Sequence, residues 1–214
     1  MKVFSIVILG FILMGCSLQN TQHLQTGDLL FVSSSLSDFE RAINDVTDDG
    51  YNLNFSHIAM LDVTDSGIFV IEATPKHGVI YRSFAEFQQE NADKVFYIGR
   101  LKPQYQQWIP NAMANAKLRI GKGYDFAFCF ENALYYCSEL IFVAFAEASG
   151  NTAFFETPPM TFKAPNSTEF LPFWITYFTN LNVAIPEGKP GLNPNGMARS
   201  EKLQPLFRLK KHGR

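Results

Sequence analysis

The stretch at residues 136–143 reads YCSELIFV, and it places a cysteine, Cys137, at the start of an apolar helical pattern. At a helix start, backbone N–H groups and the positive end of the helix dipole point at the sulfur and favour the thiolate. A nucleophilic thiolate needs a base, and residues 56–60 (SHIAM) offer His57. If the fold joins the two, the chain is a cysteine hydrolase or acyltransferase. If not, Cys137 is one more small buried residue.

Length and composition favour one globular domain. The chain has 214 residues, of which 47% are hydrophobic, enough for a sizeable core. Phenylalanine is frequent, with 21 copies, which predicts a core or a cleft rich in aromatic rings. The net charge of −2 gives no electrostatic reason to expect nucleic acid as a partner.

The N-terminus has the features of an export signal. Lys2 precedes an apolar run at 3–14, which is too short to span a bilayer comfortably. The run ends in LMGC at 13–16, which resembles the bacterial lipobox, where cleavage precedes a cysteine that is then lipidated. The alternative is an ordinary secretory signal with an incidental cysteine.

Under the lipoprotein interpretation, residues 1–15 are a signal peptide, and 16–25 are the lipidated Cys16 with a polar tether. Residues 26–214 then form the hydrolase domain with a C-terminal extension. Ser17 follows the lipidated cysteine in place of aspartate, which favours the outer membrane, facing the periplasm, in a Gram-negative cell. We therefore expect a lipid-anchored protein of the cell envelope.

Two cysteines remain for the domain, Cys129 and Cys137. A secreted domain could pair them, but a disulfide would consume the proposed nucleophile. Cys129 lies in the apolar segment FAFCF at 126–130, which predicts a buried free thiol. We expect two free thiols.

Short apolar runs and turn signals predict a strand-rich half followed by helices. The strand-like segments are 27–32, 57–63, 68–73, 78–81 and 94–100. Helical spacing occurs at 36–46, 104–120 and 137–148, with a further short helix after a Ser83/Glu86 capping box. The aromatic residues 170–178 fit a helix or a buried strand, and an ordered loop from 186 onward wraps the domain. The layout is α+β, with an antiparallel meander sheet packed against helices.

A carboxylate is available to hold the base. The segments around His57 and Glu72 form a predicted β-hairpin, whose turn near Ser66 sets Glu72 roughly level with His57 or Met60. An acidic side chain after the apolar residues 69–71 is unexpected unless it has a role, and holding an imidazole is one.

Taken singly, these residues can be explained by structural roles without any catalysis. A strand histidine is commonly structural, and a strand glutamate commonly faces solvent. His, Cys and Asp show no metal-ligand spacing, and neither a Gly-rich phosphate loop nor a G-x-S-x-G elbow is present, so we expect no metal and no cofactor.

The order of the motifs resembles a known family. The chain is similar to the circularly permuted NlpC/P60 (papain-like) cysteine hydrolases of the YiiX/YebB type. The resemblance covers nearly all of residues 25–205. The short motifs that carry it are 27–31 (GDLLF), 56–60 (SHIAM), 71–73 (IEA), 78–79 (GV), 123–126 (GYDF), 136–140 (YCSEL) and 190–194 (PGLNP). The histidine precedes the cysteine, which is the permuted order.

The resemblance implies a permuted papain-like fold and assigns roles. Cys137 is the nucleophile at a helix N-terminus, His57 is the base and later the acid, and Glu72 orients His57. Tyr124 and Asp125 match a family position and imply a structural, cleft-lining or substrate-binding role. The N–H of Cys137 is a candidate oxyanion donor.

The leading hypothesis is a cell-envelope amidase or peptidase that forms an acyl-thioester, acting on peptidoglycan-type peptides or amino-acid amides. One alternative is a lipid acyltransferase or thiol esterase like lecithin:retinol acyltransferase, although such proteins typically carry a second histidine where this chain has Glu72. The other is a non-catalytic anchored binding module. The expected partners are a peptide, amino-acid amide or lipid acyl substrate and, through the anchor, the membrane.

Overall fold

The computed structural model describes residues 24–34, 37–47, 54–130, 132–150 and 152–209. The strands of this part are Leu29–Ser33 (β1), Phe55–Thr64 (β2), Gly67–Thr74 (β3), Gly78–Ser83 (β4), Phe96–Gly99 (β5) and Phe207–Leu209 (β6). The helices are Asp38–Thr47 (α1), Phe84–Glu90 (α2), Ile109–Lys117 (α3), Cys137–Ala148 (α4), Pro172–Leu181 (α5) and Pro194–Ala198 (α6), with a 3₁₀ helix at Pro103–Trp108. Within these ranges, no helix has both the length and the apolar character needed to cross a membrane.

The strands form one antiparallel sheet in the order β4-β3-β2-β1-β5-β6. Strands β1 to β4 are the predicted meander, and β5 and β6 extend it beyond β1. Side chains of β1 alternate between two apolar clusters, with Leu29 and Phe31 on one face and Leu30 and Val32 on the other. Each of the four is at most 1% exposed, so both faces of the sheet are covered.

Helices cover the two faces unequally. Helices α3 and α4 pack together on the face of Leu29 and Phe31. The opposite face carries the shorter α2, which begins at the predicted capping box, where Ser83 Oγ accepts the Glu86 N–H and Glu86 Oε2 accepts the Ser83 N–H. The predicted helix at 104–120 is split into the 3₁₀ helix and α3, because Pro110 fits an α-helix only in its first turn.

A third apolar cluster joins α1 to α5. The aromatic residues 170–178, for which the sequence left helix and strand open, belong to helix α5 for most of their length. Trp174 and Phe178 are one helical turn apart, and each is 1% exposed in this cluster. The helix ends at Asn182, whose φ of 56° is the left-handed conformation of a common C-cap.

The segment from residue 186 onward wraps the domain as predicted, yet it is more than a loop. It contains α6, which Asn193 caps by accepting the Gly196 N–H, and β6, which pairs with β5. Strand β6 has three residues, too few to leave a pattern in the sequence. The predicted signal peptide, Cys16, the tether before residue 24 and the basic tail at 210–214 lie outside the described residues.

Candidate active site

Cys137 is the first residue of α4, as the sequence predicted. Tyr136 before it is extended (φ −86°, ψ 169°), so the chain turns into the helix at the cysteine itself. The first N–H groups of a helix have no intrahelical acceptor, and they give the helix start a positive partial charge. The helix is held in place by four residues with no solvent exposure, Leu140, Ile141, Ala144 and Phe145.

His57 lies near the start of β2, at an irregularity in its pairing with β1. Val32 pairs with His57, but the next residue, Ser33, pairs with Phe55, so β2 carries one extra residue there. Such a bulge bends the strand and re-aims nearby side chains. The His57 side chain is 18% exposed, and its ring stacks on that of Phe87 with centroids 6.4 Å apart.

The β2–β3 hairpin brings the predicted carboxylate to the imidazole. Met60 pairs with Ile71, so Glu72 lies one step further along, diagonal to His57 and on the same face of the sheet. His57 Nε2 and Glu72 Oε2 are 2.6 Å apart. The prediction of this pair from the hairpin therefore agrees with the geometry.

The same histidine interacts with the cysteine. Burial by itself would lower the pKa of His57, but hydrogen bonds to the Cys137 and Glu72 side chains, and the charges of both groups, raise it to about 10. The ring is therefore an imidazolium near neutral pH. Since Nε2 faces Glu72, Nδ1 is the nitrogen left for the sulfur. Cys137, His57 and Glu72 thus lie in one chain of contacts, the arrangement that a nucleophile, a base and an orienting group require.

Sequence reasoning missed the residue that holds Glu72. The Glu72 side chain is 1% exposed, and its Oε1 accepts hydrogen bonds from Arg82 Nε at 2.7 Å and Arg82 Nη2 at 2.6 Å. A signal was available, because the basic residue Arg82 directly follows the predicted strand at 78–81, two residues after Ile80, which pairs with Glu72. Buried carboxylates are paired, so Glu72 required a cation besides the histidine.

A cavity of about 140 Å³ opens beside Cys137. Its walls come from α1, α5, the loop before α4, the start of α4, the segment 158–162 and the C-terminal segment, and most of the lining side chains are aromatic or aliphatic. The apolar lining includes Ile43, Val46, Phe128, Tyr136, Met160, Phe162, Trp174 and Leu192. Ser56 and Ser138 also line the cavity, whereas His57 does not.

The C-terminal segment is hydrogen-bonded to the start of α4. Ser138 Oγ donates to the Leu192 carbonyl at 3.0 Å, and the Leu192 N–H donates to the Tyr136 hydroxyl at 3.4 Å. Further along, buried Asn195 accepts the Phe55 N–H at 2.8 Å. This segment, which is similar to the family motif at 190–194, forms one wall of the cavity and ties it to β2.

Two further predicted residues have separate places. Tyr124 lines the cavity, as a cleft-lining role requires. Asp125 is fully buried, and its two carboxylate oxygens accept the N–H groups of Ala127 and Cys129 within the same loop. The structure therefore supports the structural role for Asp125, and substrate contact by either residue stays a prediction.

The exposure of Cys129 contradicts the sequence prediction of a buried thiol. Both cysteines of the domain are free, as predicted, but Cys129 is exposed. The apolar pattern at 126–130 misled because Phe128, with φ of 54°, turns its ring into the aromatic cluster with Trp174. The turn leaves the Cys129 sulfur outside, 3.4 Å from the Ala127 carbonyl.

The chain is similar to a solved structure, that of the metalloprotein YiiX from Escherichia coli O157:H7. The TM-score is 0.65 at 24% identity, over 88% of this chain and 97% of that one, which supports the fold. In the part of the present chain that the structure describes, no three His, Cys, Asp or Glu side chains group to hold a metal ion, so we assign no metal ligands. No curated protein matches significantly.

A family model also matches, and it covers residues 23–207. That model describes permuted papain-like amidases of the YaeF/YiiX type, the C92 family. The order of His57 before Cys137, the antiparallel sheet and the cysteine at a helix N-terminus agree with it. The chain therefore belongs to the C92 family of permuted papain-like cysteine amidases.

Proposed function

We propose that this protein is a cysteine amidase that cleaves amides with an apolar acyl group, through an acyl-thioester on Cys137. The observation that carries the proposal is the chain Cys137–His57–Glu72 at the edge of an apolar cavity.

The reaction takes two steps. The Cys137 thiolate attacks the amide carbon, the C–N bond breaks as the His57 imidazolium protonates the leaving amine, and a thioester remains. Water then attacks the thioester while neutral His57 takes its proton, the C–S bond breaks, and the thiolate and imidazolium are restored. The N–H of Cys137, at the helix start, is placed to donate to the oxyanion in both steps.

The cavity accepts the acyl part of the substrate. The leaving amine must lie near His57, from which it receives its proton, and His57 does not line the cavity. The acyl group lies on the other side of the scissile bond, against Cys137 and Tyr136, which do line it. At about 140 Å³ the cavity is comparable to an engineered apolar cavity of about 150 Å³ that binds benzene. A phenyl ring or a short alkyl chain therefore fits.

The apolar lining favours some of the alternatives that the sequence left open over others. Peptidoglycan-type peptides are polar around their amide bonds and would leave polar groups unpaired against aromatic walls. Acyl transfer between lipids uses the same thioester and differs only in the acceptor, so the apolar cavity also favours that second candidate. A non-catalytic binding module is disfavoured, because Cys137, His57 and Glu72 are all present and His57 interacts with both of the others.

In this proposal the protein is localised to the cell envelope. The lipobox-like residues 13–16 would attach a lipid to Cys16, and Ser17 favours sorting to the outer membrane. The described domain begins with buried Leu24, which leaves a short tether between lipid and fold. An enzyme anchored in this way would meet amphiphilic substrates in or beside the bilayer.

The test is hydrolysis of N-acyl p-nitroanilides with acetyl, butyryl, hexanoyl and octanoyl groups. Each buried methylene contributes about 0.8 kcal/mol, so kcat/KM should rise about fourfold per methylene until the cavity is filled. Cys137→Ala should abolish turnover while the fold is retained. A free acid as sole product supports hydrolysis, whereas an ester formed with an added alcohol supports acyl transfer.

A variant pair locates the selectivity. Val46→Trp fills the cavity and should lower the octanoyl-to-acetyl ratio of kcat/KM at least tenfold, equivalent to about 1.4 kcal/mol. Ile175→Trp is the matched control, because Ile175 is 49% exposed on α5 and does not line the cavity. Equal kcat/KM across the acyl series, or a preference for polar peptidyl anilides, would overturn the apolar-acyl proposal.

A further inference from the structure

The carboxylate that orients His57 is held between two cationic groups. Glu72 Oε2 faces His57 at 2.6 Å, and Oε1 accepts two N–H groups of Arg82 at 2.7 and 2.6 Å. Arg82 is itself only 15% exposed, and its guanidinium lies 5.2 Å from the centre of the Phe87 ring. Phe87 has no solvent exposure and also stacks on His57. One aromatic ring therefore shields both ion pairs from water, which strengthens them.

The charges of these groups change during the proposed reaction. In the resting site, the Cys137 thiolate faces a protonated His57, and Glu72 has His57 on one side and Arg82 on the other. In the acyl-enzyme the sulfur is esterified and His57 has given its proton to the leaving amine. A carboxylate that is 1% exposed then keeps a single counter-ion, Arg82. Without that cation, Glu72 would hold a buried, uncompensated charge and would take up a proton.

We propose that Arg82 is a positioning residue of the active site: it keeps Glu72 ionised throughout the reaction, so that Glu72 always accepts from Nε2–H of His57. An ionised carboxylate is an acceptor only, and it fixes the tautomer in which Nδ1 can take a proton from water. A protonated Glu72 could donate to Nε2 instead, which would leave the proton on Nδ1. The inference rests on the proposed function, and it adds a fourth side chain to the predicted three.

The sign of the expected pH effect follows from the net charge. Cys137, His57, Glu72 and Arg82 are together neutral in the resting site, so removing the arginine leaves a net negative group that takes up protons at higher pH. Among the described residues, two further carboxylates on α2 interact with Arg82. Glu90 pairs with Arg82 Nη1 and is 42% exposed, and the charge of Glu86 also interacts with that of Arg82. Beyond Glu90 lies one more charged group, Lys76, whose Nζ is 3.9 Å from Glu90 Oε1.

The experiment measures alkylation of Cys137 by iodoacetamide against pH, read by mass spectrometry of the peptide that contains it. This readout needs no substrate. In Arg82→Gln, the acidic limb of the rate profile should move to higher pH, because the group around Cys137 has lost a positive charge. Arg82→Lys retains the charge and should return the limb to its wild-type position, although the two-pronged hydrogen bond is lost.

Glu90→Gln is the matched control. It removes the other partner of Arg82, leaves the contact with Glu72, and adds positive net charge, so the limb should stay or move slightly to lower pH. A purely structural role for Arg82 would lower the melting temperature in Arg82→Gln and leave the profile in place. An unchanged profile in folded Arg82→Gln would overturn the inference.

If Arg82→Gln alone does not fold, the same substitution is tested in a protein that already carries Glu72→Gln. With Glu72→Gln, no buried carboxylate is left unpaired when Arg82→Gln is added. In that background the second change should alter kcat/KM for octanoyl p-nitroanilide and the alkylation rate by less than about twofold. A larger further loss would overturn the inference. Turnover by Cys137→Ala would instead refute the proposed function, so the two failures are distinguishable.

Discussion

The pH dependence of stability gives a quantitative test of the packing around Cys137. Glu139 lies in the first turn of α4, is 2% exposed, and accepts the N–H of Tyr136 at 3.2 Å. Burial raises the pKa of Glu139 to about 8, with a contribution from the charge of Asp125, while the Tyr136 N–H and Arg119 act in the opposite direction. Glu139 is thus a carboxyl group that stays largely protonated in the folded protein at neutral pH.

The sign and size of the effect follow by linkage. Below about pH 4.5 both folded and unfolded chains hold the proton, so Glu139 makes the free energy of unfolding no more dependent on pH. Between about 4.5 and about 8 only the folded chain holds it, so stability falls as pH rises, by about 1.4 kcal/mol per pH unit. The total loss is at most about 5 kcal/mol, complete above pH 8.

Glu139→Gln replaces the ionisable carboxyl group with a neutral amide, whose oxygen can still accept the Tyr136 N–H. Urea denaturation of both proteins at pH 5, 7 and 9 should show nearly equal stability at the lowest pH and a growing advantage for the variant above it. The raised His57 pKa also lowers stability as pH rises, between 6.5 and about 10, but it is common to both proteins and cancels in the difference. A difference that does not change with pH would refute the reasoning.

Two more outcomes are expected from residues away from the reacting atoms. Asn195→Ala removes the acceptor of the buried Phe55 N–H and the donor to Thr47 Oγ1, and should lower the unfolding free energy by about 2–3 kcal/mol in urea titrations; a loss near zero would contradict the anchoring of the C-terminal segment to β2. Cys129→Ser replaces an exposed thiol outside the cavity, and anilide hydrolysis should be unchanged; a large loss would place Cys129 in the reaction.

The parts of the fold that the sequence predicted are those with local patterns. The turn near Ser66 and the strand pattern on both sides set the hairpin that joins His57 to Glu72, and the Ser83 capping box marked α2. The start of α4 at Cys137 followed from the apolar residues after it. In each case neighbours within a few positions in the chain decide the structure.

The parts that the sequence missed depend on contacts between distant segments. Arg82 joins the site through a cross-strand contact, and the exposure of Cys129 depends on where the ring of Phe128 packs. The cavity is built from α1, α5 and residues near 190, which are far apart in the chain. Periodicity carries no information about such contacts, whereas the family resemblance did supply the order of the predicted catalytic residues.

The central claim is that Cys137 forms the acyl-thioester with His57 and Glu72 as its partners. Its most direct test is rapid acid quenching of the protein during turnover of octanoyl p-nitroanilide, followed by peptide mass spectrometry. We expect an octanoyl group on the peptide that contains Cys137, absent in Cys137→Ala and retained in Cys129→Ser. Anilide cleavage with the acyl group on Cys129, or continued cleavage by Cys137→Ala, would contradict the claim.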